Sequence, residues 1–366
     1  MNNPSQRCQR RIGMARRPTL RDVARRAYCS VSAASNILHG RTDLYSEELV
    51  RRVLQSAQEL GYYPARVTRV RSQTRTNLLA LVLDQYHPPP TRNPFAHHVL
   101  DGILTTLEPL GYNLTIWMTT AVEKEAMWRR LAESDIEGAL LLTPEINSPL
   151  LQWHVRCPKP AVVVGATLPP SYGLPCVDVD NAAGMRALVH WIVEQGHRAI
   201  GYVGGNPRHW SARQREQAFR EALAECGVPL HEPWLLEGRC SIDSGREAAQ
   251  KFLQLEARPT AVICANDLMA VGFIEGLQQH GIHVPKDISV AGFDDEPTVQ
   301  QMGYGLTTIR SPMHALGHEA TTLLMRILEQ NLPPPPTAPL LLPGMLIVRG
   351  SVRPYHAPSP KPQQEF

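Results

Sequence analysis

The sequence predicts a small all-α head followed by an α/β core of two doubly wound parallel-sheet subdomains. Three observations carry this. The first 76 residues hold fifteen arginines, no lysine and five acidic residues, a net +10, against −7 for the remainder. Three short helical patterns, each opened by a capping residue, lie between residues 18 and 63. From residue 78 on, short apolar runs alternate with helical stretches, the texture of parallel strands covered by helices. The 366 residues suit two or three domains, and 43% hydrophobic with 19% charged residues is ordinary globular composition.

Residues 1–17 carry arginines but no apolar segment, which predicts a disordered basic extension and argues against a secretory leader. Thr19 can cap a first helix, with Asp22 in a capping-box relation and Leu20, Val23, Ala24 and Ala27 on one face. Ser30 can cap a second, with Ala34, Ile37 and Leu38 inward and Gly40 as its stop. Ser46 can cap a third, with Glu47 and Glu48 in its first turn and Val50, Val53, Leu54, Ala57 and Leu60 inward. The head thus spans 18–63, and 64–76 form an arginine-rich linker.

The core follows over 77–353. Strands are expected at LLALVL from residue 78, NLTIWM from 113, GALLLT from 138, AVVVG from 161, AIGYVGG from 199, TAVICAN from 260 and DISVAGFDD from 287. Helical stretches separate them, as at 182–195 and 212–226. So many strands exceed one comfortable sheet, hence two subdomains. Residues 354–366 are proline-rich and expected to be disordered. No apolar run approaches the roughly 20 residues of a membrane span. Seven cysteines, none in a Cys-x-x-Cys pair, predict reduced thiols in a cytoplasmic protein rather than disulfides or a zinc site.

A basic head on an acidic body is the charge footprint of a polyanion-binding module. Two helices separated by Tyr28 and Cys29 fit a helix-turn-helix, whose second helix enters the major groove by its N-terminal end. Val31 can touch a thymine methyl, while Ser32, Ser35 and Asn36 can bond base edges. Thr19, Arg21, Ser30 and His39 complete the candidate DNA contacts in the head, and Arg66, Arg69 and Arg71 those in the linker. Arg25, Arg26 and Arg41 are expected on phosphates, which position the protein without specifying sequence.

The stretch TLRDVARRAYCSVSAASNILHGRTDLYSEELVRRVLQSAQELGYYPARV resembles the DNA-binding head of the lactose/galactose repressor family of bacterial transcription regulators. The resemblance runs on through NPFAHHVLDGI, VDVDNAAG, GHRAIGYVGG, SARQREQAFREAL, PTAVICANDLMAVGFIEGL, VPKDISVAGFDD and LTTIRSP, in family order and spacing. It implies a periplasmic-binding-protein-like core with an effector cleft between its subdomains. The N-subdomain is expected at about 77–176 plus 308–337, and the C-subdomain at about 177–307 plus 338–353. It places Phe95 and Ala96 in the cleft from the first subdomain, and Arg215 and Asp294 at the family's cleft arginine and aspartate. Asn266 can donate and accept there, and Trp210, in the loop before the Arg215 helix, can stack on a sugar face. The family also implies a homodimer on a pseudo-palindromic operator and a sugar or related metabolite as effector. The tail lacks a heptad, which argues for dimer over tetramer.

The chain departs from the family at several positions. Tyr28 stands where the turn usually has glycine, and Asn36 where the recognition helix usually carries arginine. Arg71 stands at the hinge leucine, where the linker either sends an arginine into a narrow minor groove in place of apolar intercalation or is simply a flexible basic arm, and bending is expected to be weaker than in a leucine-hinged relative. Cys240 replaces a common aromatic, and Gly165 stands where some sugar-binding relatives have aspartate.

Other signals carry less. His314 and His318 lie i, i+4 but lack the glutamate of His-Glu-x-x-His, so no metal is expected. GYVGGN (201–206) is not a dinucleotide fingerprint. With no nucleophile elbow, P-loop or paired acid–base carboxylates, neither an enzyme nor a cofactor is predicted. The alternative to an effector-controlled repressor is a DNA-binding regulator that is effector-independent or controlled by a protein partner.

Overall fold

The computed structural model describes residues 19–38, 42, 44–60, 62, 75–84, 93–118, 124–330 and 338–356. The expected contacts His39, Arg41, Arg66, Arg69 and Arg71, the N-terminal extension and most of the linker and tail lie outside them. The chain forms two compact units, Met1–Thr74 and Arg75–Phe366.

The first unit contains helices α1 (Leu20–Arg26), α2 (Val31–Leu38) and α3 (Glu47–Leu60). Thr19 and Asp22 form the expected capping box. Ser30 Oγ accepts from Ala33 N at 3.1 Å, and Ser46 Oγ from Leu49 N at 3.4 Å. Val23, Ala24, Ala27, Ala34, Ile37, Val53 and Ala57 make the core. Leu54, expected inward, is 50% exposed. The buried stripe of α3 runs through Val53 and Ala57, and a residue one step from Val53 is rotated about 100° off that face. Tyr28, in the turn, has φ 52 and is 88% exposed.

The second unit begins with β1 (Leu78–Leu83), α4 (Pro94–Leu107), β2 (Asn113–Met118), α5 (Lys124–Glu133), β3 (Gly138–Leu142), α6 (Trp153–Arg156), β4 (Ala161–Val164) and β5 (Cys176–Val179). Then come α7 (Asn181–Glu194), β6 (Ile200–Val203), α8 (Trp210–Glu225), β7 (Leu235–Leu236), α9 (Ile242–Leu253), β8 (Ala261–Cys264), α10 (Asp267–Gln278) and β9 (Ser289–Ala291). It closes with α11 (Pro297–Gln301), β10 (Thr308–Arg310), α12 (Met313–Gln330), β11 (Leu340–Leu342) and β12 (Met345–Ile347).

A six-stranded parallel sheet in the order β11-β5-β4-β3-β1-β2 builds the first lobe. Its central strands are buried on both faces, which is why they read as unbroken apolar runs. Leu79, Leu81 and Leu83 pack toward α4 and α12, whereas Ala80 and Val82 pack with Trp128 and Trp153 on the other side. Gly102 lets α4 meet α12 closely, since a Cβ there would lie 2.0 Å from His314 O. At this crossing the rings of His314 and His318 bond the hydroxyls of Thr105 and Thr106 at 3.2 and 2.9 Å.

The second lobe is a parallel sheet ordered β7-β6-β8-β9, flanked by the α7/α8 and α9/α10 pairs. The antiparallel ribbon β10-β12 joins its edge through bridges Ala291–Thr307 and Asp294–Arg310.

The subdomain boundaries need correcting. β5 pairs with β4 and β11, so residues 177–179 and 340–342 belong to the first sheet, not the second. β10, expected with the first lobe, lies against the second. The chain therefore passes between lobes after β5, after β10 and after β11. The first and third passages touch, Asp180 N donating to Leu342 O at 2.8 Å.

Candidate functional site

Two surfaces are candidates, one in each compact unit. In the head, α2 leaves Val31 and Ser32 exposed at its N-terminal end, with Ser30 before them and Ser35 and Asn36 half-buried one turn on. Asn36 Nδ2 donates to Tyr45 Oη at 2.9 Å, which fixes the amide and leaves its Oδ1 and second N–H for a further partner. Thr19 is half-buried and occupied as a cap, while Arg21 and Arg25 are exposed on α1. Arg26, expected on phosphate, instead donates from Nε and Nη2 to Glu59 at 2.9 and 2.5 Å and pins α1 to α3.

In the core, a cleft of about 670 Å³ lies between the lobes. Phe95, Thr143, Gly165 and Asp178 line it from the first lobe, and Arg215, Cys240, Asn266 and Asp294 from the second. These second-lobe residues come from the α8 helix and from the loops beyond β7, β8 and β9, and the ends of parallel strands are where such folds bind ligands. Four of the six expected cleft residues thus meet: Phe95, Arg215, Asn266 and Asp294.

Ala96 and Trp210 do not line the cleft. Ala96 is fully buried in the first turn of α4, its N–H donating to Asn93 Oδ1 at 3.4 Å. Trp210 is the first residue of α8 rather than a loop residue, and its ring packs edge-on to Tyr172 at 6.3 Å. Its Nε1 meets no acceptor among the described residues. The sequence places Trp210 near the cleft, but the turn of the helix directs the indole into first-lobe packing.

Arg215 is the centre of the site. Nε donates to Asn181 Oδ1 at 2.8 Å, Nη1 to Ala265 O at 2.6 Å and Nη2 to Asp294 Oδ1 at 3.1 Å. The guanidinium also lies 3.7 Å from the centre of the Phe293 ring, a cation–π contact that fixes its plane. Asp294 has φ 116, a left-handed geometry held by its N–H to Ile309 O and by Ser311 Oγ, which donates to Oδ1 at 3.2 Å. Burial raises its carboxyl above the usual range, and Arg215 partly offsets this. Asn266 caps α10 through Met269 N at 3.0 Å and donates to Cys240 O at 3.4 Å.

Sequence reasoning missed Asp178. It is the penultimate residue of β5, on the cleft wall, accepting from Thr167 Oγ1 at 2.9 Å, Val179 N at 2.8 Å and Asn181 Nδ2 at 3.4 Å. Burial pushes its carboxyl up to about 6. The available signal was a charged residue inside the buried strand CVDV.

Gly165 has φ 74, and a Cβ there would sit 2.7 Å from Phe95 Cζ and 2.8 Å from Thr143 Cγ2. The Phe95 ring therefore occupies the space in which an aspartate at this position would stand. Contacts between the lobes flank the cleft: Ile146 N donates to Arg208 O at 2.9 Å, Glu145 pairs with Arg208, and His98 Nε2 lies 3.6 Å from Glu296 Oε1. Among the described residues no cluster of metal-ligating side chains is present, and no helix is long and apolar enough to cross a membrane.

Residues 189–352 match the periplasmic binding protein-like domain. The HTH-type transcriptional repressor PurR of Photobacterium profundum is 31% identical over 320 residues, covering 86% of this chain and 93% of its own. The chain belongs to the LacI family of transcriptional repressors. Among solved structures, the transcriptional regulator CelR in complex with cellobiose matches at TM-score 0.71 and 30% identity, over 92% of this chain and all of that one. The lac repressor dimer bound to operator and the anti-inducer ONPF matches at TM-score 0.67 and 22% identity over the same shares, a likeness of fold. The LacI-family assignment accounts for both candidate surfaces, a helix-turn-helix head and a two-lobed core. These relatives are regulators rather than enzymes.

Proposed function

We propose that this repressor binds a pseudo-palindromic operator as a homodimer and that a small molecule in the interlobe cleft sets its affinity for DNA. The observation that carries this reading is the convergence of Phe95 from one lobe with Arg215, Asn266 and Asp294 from the other on one cavity of about 670 Å³. A ligand touching both lobes binds their relative arrangements unequally, and only such a difference can shift an equilibrium. The relative CelR, solved with cellobiose, favours a saccharide or a compound of similar hydrogen-bonding character. In the head, Ser30, Val31, Ser32, Ser35 and Asn36 read bases, and Thr19 and Arg21 support the backbone contacts.

Mobility-shift and footprinting assays on DNA upstream of the protein's own gene test this. Expected is a protected inverted repeat whose occupancy falls steeply with salt and changes with one cleft ligand. Removing residues 1–76 should abolish DNA binding and leave ligand binding intact. Operator binding by the shortened chain, or a footprint without two half-sites, refutes the reading.

A further inference from the structure

The charges on the cleft wall narrow what enters it, provided the cleft is the effector site proposed above. We propose that the effector is uncharged or cationic and rich in hydrogen-bond donors, and that Asp178 reads it from the first lobe. Two guanidiniums line the cavity, and each already faces a carboxylate of the chain. Arg215 is held by Asp294 at 3.1 Å, and Arg239 by Glu247 at 2.6 Å. Against them stand the carboxyl groups of Asp178, Asp267, Asp294 and Glu296.

Helix N-termini also face the cavity, and by themselves they would favour an anion. Here they are answered from within the chain. Asn93, Ser241 and Asn266 each accept from the third residue of their own helix, and Asp243 and Asp267 sit in the first turns of α9 and α10. The Asp267 carboxyl is further occupied by Thr308 Oγ1 at 2.6 Å and Glu296 N at 2.8 Å. What remains toward the cavity is acceptor capacity. Among the described residues Asp294 Oδ2 receives no hydrogen bond, and the donors to Asp178 are all neutral, with the Arg215 charge acting on it without a hydrogen bond. A ligand hydroxyl or amino group fills such positions, whereas a phosphate or carboxylate brings no donor to them and meets the charge of the Asp178 carboxylate.

The full-length protein at pH 8, where Asp178 is ionised, can be titrated with matched compounds and followed by thermal shift and calorimetry. The panel holds cellobiose, glucose, glucosamine, hypoxanthine and guanine beside glucose 6-phosphate, gluconate and inosine monophosphate. The expected result is stabilisation by neutral or amino-bearing members, with any phosphorylated counterpart at least about tenfold weaker. Asp178→Asn should weaken the best ligand about tenfold and narrow its margin over the anionic counterpart, a change in ratio that a merely structural role would not produce. An anion that binds as tightly as its neutral counterpart, or a margin untouched by Asp178→Asn, overturns this inference and leaves effector control standing. A panel in which nothing binds overturns effector control itself, and this inference with it.

Discussion

Arg215 Nε donates to Asn181 Oδ1 at 2.8 Å, and this bond ties helix α8 of the second lobe to the point where the chain leaves the first sheet. It is the middle of a polar chain that runs Thr167, Asp178, Asn181, Arg215, Asp294, Ser311. The chain crosses the floor of the cleft and includes residues at two of the three interlobe passages. A ligand seated on Asp178 and Asp294 would therefore touch groups bonded to residues at two of the passages between the lobes.

Arg215→Lys keeps the charge but not the fork that reaches Asn181, Ala265 and Asp294 together. Losing two buried charge-assisted bonds should cost about 3 kcal/mol of stability in urea unfolding. The variant should still bind operator and should no longer respond to effector. A fully responsive Arg215→Lys would show that the fork is dispensable.

Asp178 gives stability a definite pH dependence. Its carboxyl titrates at about 6 in the folded protein against an ordinary value of 3.8. Between these values the folded state keeps a proton that the unfolded chain has released, so stability falls as pH rises through that window. The full effect is about 3 kcal/mol. Asp178→Asn should melt higher than wild type at pH 8 and with it near pH 4. Melting curves across that range check this, and a gap that does not change with pH would rule out the charge as its cause.

Gly165→Ala adds a methyl to a backbone at φ 74 and drives it against Phe95 and Thr143. Backbone strain and overpacking together should cost about 2 kcal/mol or more. The Phe95 ring must move to admit the methyl, so effector affinity should change as well. Calorimetric unfolding and ligand titration of the same variant read both.

Tyr28→Gly should stabilise the head. At φ 52 the tyrosine sits where glycine is at ease, and its side chain, 88% exposed, contributes little packing. The expected gain is up to about 1 kcal/mol, less what the more flexible unfolded chain takes back. Amide hydrogen exchange in α1 and α3 reports on this unit directly.

Much of this architecture was legible because single residues announce it. Thr19, Ser30 and Ser46 mark three helix starts, and runs such as 78–83 and 138–142 mark strands buried on both faces. The misreadings have a common origin. Trp210, Ala96 and Leu54 lie within the right segments, but which way each side chain points depends on helix phase, which a neighbouring residue can shift by about 100°. The lobe boundaries were placed too early because β5 and β11 are short strands whose sheet is decided by partners distant in sequence. Asp178 escaped notice because it interrupts a hydrophobic strand, where a lone charge gives no motif.

The last two strands have a consequence for biosynthesis. β11 forms the edge of the first sheet and β12 completes the ribbon on the second, so each lobe is closed by a strand that follows α12. The head, made first and compact in itself, can acquire its shape while the ribosome is still at work. Both lobes must wait for residues 340–347, so a chain released before them would carry the compact head without two finished lobes.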